Sequence, residues 1–156
     1  KPDEWRKLVQ AIRKVYNGSL TYAANWGEEC EELSFWEVFD FIGINCYYPL
    51  HKGATATDSD LMKGAERVVE KMEAISKRVG RPVWLTEIGY RSATSPWQQP
   101  HEEAGDRTID DEAQARSYNA MLAACEGQNW LLGFFWTTMK TEAEATLHTA
   151  NLRKKC

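Results

Sequence analysis

The sequence predicts an α/β protein whose strands run parallel. Four helical patterns each lead into a short strand-forming run, and no hairpin signal joins any two of those runs. The best-defined run lies between Arg81 and Tyr90, where Pro82 opens a segment made of Val83, Trp84, Leu85, Thr86 and Ile88. Proline suits the first position of a strand, and the residues after it favour a pleated segment covered on both faces. Glu87 closes that run. A carboxylate at the C-terminal end of a buried strand is costly unless it is hydrogen-bonded or engaged with a ligand. Strict alternation puts Val83, Leu85 and Glu87 on one face and Trp84, Thr86 and Ile88 on the other. The structural alternative for Glu87 is a pair with Arg91 or a loop cap.

The remaining elements follow in order. From Asp3 to Tyr16 the apolar residues Trp5, Leu8, Val9, Ile12, Val15 and Tyr16 recur at helical spacing, and Asn17-Gly18 stops them. Ser19 to Trp26 reads as a strand with a polar exit, and Gly27 to Glu32 as a charged loop. Ser34-Phe35-Trp36-Glu37 has the form of a capping box opening a short helix through Phe39. Asp40 to Tyr48 is the second strand, ended by Pro49, and His51 to Asp58 is a loop. Leu61, Ala65, Val68, Met72, Ile75 and Val79 form a long helical stripe closed by Gly80.

After Tyr90 the chain turns polar from Arg91 to Asp110, with Trp97 alone among hydrophilic residues. A loop of that length points to a lid or binding loop. Glu112 to Glu126 is the next helix, with Tyr118, Met121, Leu122 and Cys125 on one face. Trp130 to Trp136 is the last strand, and 141–156 is a tail or short helix. Four parallel strands with their helices suit half of an eight-stranded barrel or a small open sheet. The chain has 156 residues, which favours the open sheet because a complete barrel takes about 250.

Composition narrows the function. Nineteen Lys and Arg against 23 Asp and Glu give a formal charge of -4, so no basic footprint suggests a nucleic-acid partner. No apolar run is long enough for a membrane span, and the first residues enter a helix without an apolar leader. Cys30, Cys46, Cys125 and Cys156 show no C-x-x-C spacing and read as free thiols. His51, His101 and His148 have no ligand spacing, so no metal and no cofactor is expected. Asn17-Gly18-Ser19 matches a glycosylation acceptor. No glycine-rich phosphate loop is present, which sets aside a nucleotide-binding domain. Seven tryptophans supply flat surfaces that either stack on a ligand or fill a core.

Several motifs taken together resemble glycoside hydrolase family 113, the (β/α)8-barrel retaining β-mannanases. They are Thr21-Tyr22-Ala23-Ala24-Asn25-Trp26, Phe35-Trp36, Asp40-Phe41-Ile42-Gly43-Ile44-Asn45, Tyr47-Tyr48-Pro49-Leu50 and Thr86-Glu87-Ile88-Gly89-Tyr90-Arg91-Ser92. The resemblance runs over residues 1–140 and implies the C-terminal half of a TIM barrel, strands five to eight. It implies that Glu87, ending strand seven, is the catalytic nucleophile. Tyr47 or Tyr48 would bring a hydroxyl near that nucleophile and the sugar, with Tyr47 preferred because it shares a face with Asn45. Asn25 and Trp26 would face the cleft from strand five, although Asn25 also suits a loop cap. Trp136 would be the platform under the sugar, though Thr137-Thr138-Met139-Lys140 after it departs from the family's more aromatic run.

Trp97 is a further candidate platform, while Trp5, Trp36 and Trp84 read as core. Arg91 either steadies the charge of Glu87 or forms a surface salt bridge. The family's general acid/base is a glutamate ending strand four, and it would precede this chain. Two carboxyl groups about 5–5.5 Å apart are needed for retaining hydrolysis; Glu4, on a solvent-facing helix, is no substitute. The implied partners are a polysaccharide or oligosaccharide substrate, and either a chain carrying the first half-barrel or a second copy. The alternative function is a non-catalytic carbohydrate-binding or scaffold module that keeps the tryptophans without needing Glu87.

Overall fold

The computed structural model describes residues 1–137, so the tail expected over 141–156, and Cys156 with it, lies outside the described residues. The elements are α1 (Pro2–Arg13), β1 (Ala23–Asn25), α2 (Glu28–Glu32), a 3-10 turn (Trp36–Val38), β2 (Ile42–Cys46), α3 (Asp58–Val79), β3 (Val83–Ile88), α4 (Asp111–Cys125) and β4 (Leu131–Trp136). The strands form one sheet in the order β1-β2-β3-β4, and every neighbouring pair is parallel. The expected parallel order is therefore present, and all four strands end at the same rim.

Local chemistry explains where these elements start and stop. Pro2 opens α1, and Asp3 and Glu4 favour the positive end of its dipole. The Thr57 side chain accepts from the Asp60 amide, and the Asp60 carboxylate accepts from the Thr57 amide, a reciprocal cap on α3. Gly80 closes that helix at φ 69°, the left-handed conformation glycine adopts without strain. Gly64 lets α3 press against the chain leaving β2, since a Cβ there would sit 2.0 Å from the Leu50 carbonyl oxygen.

Three local expectations are corrected. Gly27 to Glu32 is not a loop, because Glu28–Glu32 forms a short helix. Ser34 does not cap the turn that follows; Glu37 instead pairs with Arg6 at 2.8 Å, and the Ser34 carbonyl accepts from the same guanidinium. β1 covers three residues where Ser19 to Trp26 was expected. Leu20 gives its amide to the Asp40 carboxylate and Thr21 its hydroxyl to the Phe41 carbonyl, so side-chain bonds stand in for the ladder.

The sheet has two unlike faces. Ala24, Ile42, Ile44, Cys46, Val83, Leu85 and Ile88 are all buried against the helical layer, where Cys46 Sγ lies 4.0 Å from Met72 Sδ of α3. The other face carries Ala23, Asn25, Gly43, Asn45, Trp84, Glu87 and Phe135. Phe135 stacks on Trp84 and is 58% exposed, and the indole N–H of Trp84 is buried without an acceptor among the described residues. Trp84, expected in the core, therefore belongs to the more open face.

A bulge decides which face Glu87 takes. Ile44 pairs with Leu85, but the next residue, Asn45, pairs with Glu87, so Thr86 is the extra residue. The strict alternation that grouped Glu87 with Val83 and Leu85 is overturned. Past the bulge, Glu87 joins the face of Asn45 while Ile88 returns to the helical side.

Candidate active site

At the rim where the strands end, register brings three polar residues into one row. Asn25 of β1 pairs with Asn45 of β2, and Asn45 pairs with Glu87 of β3. Paired residues of a parallel sheet share a face, so the three side chains stand side by side on the open one. Asn45 Oδ1 accepts from the Thr86 hydroxyl at 2.8 Å, which ties the bulge to its neighbour strand. Asn45 was not singled out from the sequence; its alternation with Tyr47 was the available signal.

Glu87 is half-buried and accepts a hydrogen bond at 2.7 Å from the Tyr47 hydroxyl to Oε2. Tyr47 lies just past β2, and its hydroxyl also sits 2.7 Å from Thr137 Oγ1, just past β4. Burial pushes the pKa of Tyr47 above the usual phenol value, as does the Glu87 carboxylate, while Thr137 and the charge of Arg91 act the other way. Thr137 is the second residue missed from sequence. Nothing in the pattern of residues 130–140 marks it, because its place depends on how β4 ends beside Ile88.

The other expected site residues are distributed as follows. Trp26 is half-buried at the rim, edge-on to Tyr48 at 5.4 Å and 5.4 Å from the His101 ring. Asn25 is exposed at the rim, but its side-chain amide and its backbone N–H both donate to Glu29. Tyr48 is a correction. It is buried on the helical side, donating to Glu31 of α2 at 2.7 Å and contacting Cys30 Sγ, because consecutive residues of an extended chain point opposite ways.

Trp97 is also corrected, from platform to anchor. It is 4% exposed, donates from Nε1 to the Gly53 carbonyl at 2.9 Å and lies beneath the Arg116 guanidinium. The polar loop expected to be a lid or binding loop is thereby pinned to the chain after β2, where Leu50 N–H also donates to the Trp97 carbonyl at 2.9 Å. Trp136 is the third correction. It pairs with Ile88 on the helical face and meets Tyr118 of α4 edge-on at 4.6 Å, so its ring stands on the opposite face from Glu87. Arg91 does not pair with Glu87; it donates to the Glu102 carbonyl and the Glu103 carboxylate, both at 2.8 Å, which is the salt-bridge alternative.

Glu29 is the carboxylate tied to the same rim row, and it is poorly suited to donating a proton. It accepts from the Tyr22 hydroxyl and from Asn25, and the Tyr22 bond foremost holds its carboxyl below the usual range. Asn25 itself stands two strand spacings, about 10 Å, from Glu87. Among the described residues no cluster of three or more His, Cys, Asp or Glu is arranged for a metal ion.

Comparison with known proteins adds the family. The model of Glycoside Hydrolase Family 113 matches residues 1–154. The chain belongs to glycoside hydrolase family 113. A solved structure of a family 113 β-mannanase from Alicyclobacillus acidocaldarius, in complex with ManMIm, is 25% identical over 86% of this chain, with a TM-score of 0.71. A family 113 β-1,4-mannanase is likewise 25% identical over 88% of the chain, with a TM-score of 0.72. A Bifidobacterium dentium β-glucuronidase, 17% identical with a TM-score of 0.63, shares the fold over 87% of the chain and 20% of its own length. This family 113 chain spans about 40% of the length of the mannanases it matches. No curated protein matches it.

Proposed function

We propose that this chain carries the nucleophile side of a retaining β-mannan-hydrolysing site, with Glu87 as the nucleophile. The observation that supports this most is the placement of Glu87: at the C-terminal end of a parallel strand, turned by a bulge onto the open face, and hydrogen-bonded to Tyr47 at 2.7 Å. Ligands of parallel α/β barrels bind at that end of the strands. Tyr47 holds Oε2, leaving Oε1 to attack the anomeric carbon. Asn25, Asn45 and Trp26 line the rim beside it as sugar contacts.

The attack forms a glycosyl ester on Glu87 with inversion, as a second carboxyl group protonates the departing oxygen; water then reverses the geometry and releases the sugar with net retention. The donors to Glu29 hold its carboxyl below the usual range, which makes it a poor proton donor, and the acid/base is assigned outside the described residues. The chain supplies strands five to eight of the barrel, and the open face with Trp84 and Phe135 is the barrel lining that the other strands complete. The non-catalytic binding module gains less support, since it relies on exposed tryptophans while Trp97 is buried and Trp136 packs on α4.

The test compares manno-oligosaccharide hydrolysis by the barrel-completed enzyme, its Glu87→Gln form and this chain alone. Glu87→Gln keeps the shape but removes the attacking charge, so turnover falls by more than the roughly 10²–10⁴-fold expected for loss of a general acid or base. A Glu87→Gln enzyme with near-normal rate ends the assignment. The chain alone is inactive, for want of a proton donor.

A further inference from the structure

Thr137 is held by its backbone before its side chain does anything. Its N–H donates to the Ile88 carbonyl at 2.8 Å, one residue past Glu87. Its carbonyl accepts from the Tyr118 hydroxyl at 3.2 Å, and the Tyr118 hydroxyl oxygen accepts in turn from the Tyr90 amide, so one tyrosine of α4 joins the ends of β3 and β4. Tyr118 is itself braced edge-on by Tyr90 and Trp136. Thr137 Oγ1 is thereby placed 2.7 Å from the Tyr47 hydroxyl.

The direction of that contact follows from counting protons. A phenol carries one, and Tyr47 gives its proton to Oε2 of Glu87. The Tyr47–Thr137 contact is then a hydrogen bond only if Thr137 is the donor. A competing acceptor for the threonine proton among the described residues is the Ile88 carbonyl at 3.3 Å, longer than the 2.7 Å contact with Tyr47. With Thr137 donating, the alternative orientation of the phenol proton, away from Glu87, would bring two protons together.

We propose that Thr137 is a positioning residue for the site: its hydroxyl donates to Tyr47 and so keeps the Tyr47 hydroxyl proton pointed at Oε2 of Glu87. The relay runs from β4 through β2 to β3 and locks three strand ends into one hydrogen-bond order. It rests on the reading of Glu87 as nucleophile for its catalytic meaning, though the order of the bonds does not. One oxygen of the carboxylate is then held in every turnover, and the other is the one that reacts.

Among the described residues, the groups facing the Tyr47 hydroxyl are Glu87 from β3, Thr137 after β4 and, through its charge, Arg91 from the loop after β3. Their signs separate the roles. A donor to the phenol oxygen favours the phenolate, whereas a neighbouring carboxylate that accepts the proton opposes it. In the chain labelled at the tyrosine ring carbon bearing oxygen, NMR follows the titration of Tyr47 in wild type, Thr137→Val, Thr137→Ser and Glu87→Gln. Thr137→Val raises the midpoint, lowering the ionisation constant about tenfold, the scale of one hydrogen bond to a charged group. Thr137→Ser keeps the donor and titrates as wild type, while Glu87→Gln moves the midpoint down.

A Thr137→Val midpoint at or below the wild-type pH overturns the proposal. Where Thr137→Val does not fold by circular dichroism, Thr137→Ala carries the same comparison. The outcome is separable from the function itself. An active Glu87→Gln enzyme ends the nucleophile reading and leaves the relay standing, whereas an unmoved Tyr47 in Thr137→Val ends the relay alone.

Discussion

Asn45 stands opposite Glu87, although the residue before it, Ile44, stands opposite Leu85 two positions earlier. The extra residue, Thr86, spends its hydroxyl on Asn45 Oδ1 at 2.8 Å. That bond links the bulge to β2, and through the bulge it sets the face on which Glu87 emerges. Thr86→Val keeps a β-branched residue in the strand and removes the donor. The expected result is a loss of about 1 kcal/mol in unfolding free energy, measured by urea denaturation. An unchanged midpoint would mean that the bulge is held by its backbone alone.

Tyr47→Phe removes the donor to Oε2 of Glu87 and leaves the ring in place. Under the proposed mechanism the barrel-completed enzyme loses about 10- to 100-fold in kcat, the range for one hydrogen bond to a charged group, with KM changed far less. Steady-state kinetics on manno-oligosaccharides checks this. A rise in KM at constant kcat would instead make Tyr47 a binding contact.

Gly64→Ala sets two effects against each other. Alanine favours a helix by about 1 kcal/mol over glycine. Its methyl carbon, however, would fall 2.0 Å from the Leu50 carbonyl oxygen, a backbone atom that cannot swing aside as a flexible side chain would. The clash dominates, and the variant is expected to lose about 2 kcal/mol or more. Thermal unfolding decides it; a stabilised variant would show that α3 shifts freely away from the chain leaving β2.

Glu31 gives the fold a pH dependence. Its carboxyl is held below the usual range, first by the Tyr48 hydroxyl and then by Lys71. A folded value below the unfolded one means that its stabilisation is complete above the unfolded value, near about 4.3, and is lost as pH falls through the folded one. Wild type is therefore expected to be more stable than Glu31→Gln at pH 7, with the gap closing in acid. Urea titrations at pH 7, 5, 4 and 3 measure it, and a gap constant across that series would rule the linkage out.

Much of the architecture was legible because it is written in local chemistry. The stripe from Leu61 to Val79, ended by Gly80, can only be a helix with one buried side, and α3 is that helix; its cap at Thr57 came from the structure. The runs at Ile42–Cys46 and Val83–Ile88 carry enough β-branched and aromatic residues to declare themselves, and the helices between them require parallel neighbours. Glu87 stood out as a carboxylate where a buried strand should have none, and it lies at the rim of the sheet beside Tyr47.

The tertiary structure decided which side chains meet. A single-residue bulge at Thr86 reverses every face assignment after it, and a bulge depends on two strands together, so no one-strand pattern reveals it. The same holds for the tryptophans. A lone Trp97 in a polar loop reads as a free platform until the loop after β2 supplies the Gly53 carbonyl that draws it under, and Trp136 reads as cleft-facing until Tyr118 occupies its helical side. Thr137 carries no signal of its own, since its role comes from a partner 90 residues away in sequence. The sequence by itself determined the long helices, the strands at Ile42–Cys46 and Val83–Ile88, the parallel order and the carboxylate at the rim, because periodicity acts within a few residues. It missed the short helix Glu28–Glu32 and the extent of β1. Register, ring placement and the order of hydrogen bonds around Glu87 belong to the folded sheet, because those forces exist only once distant strands lie side by side.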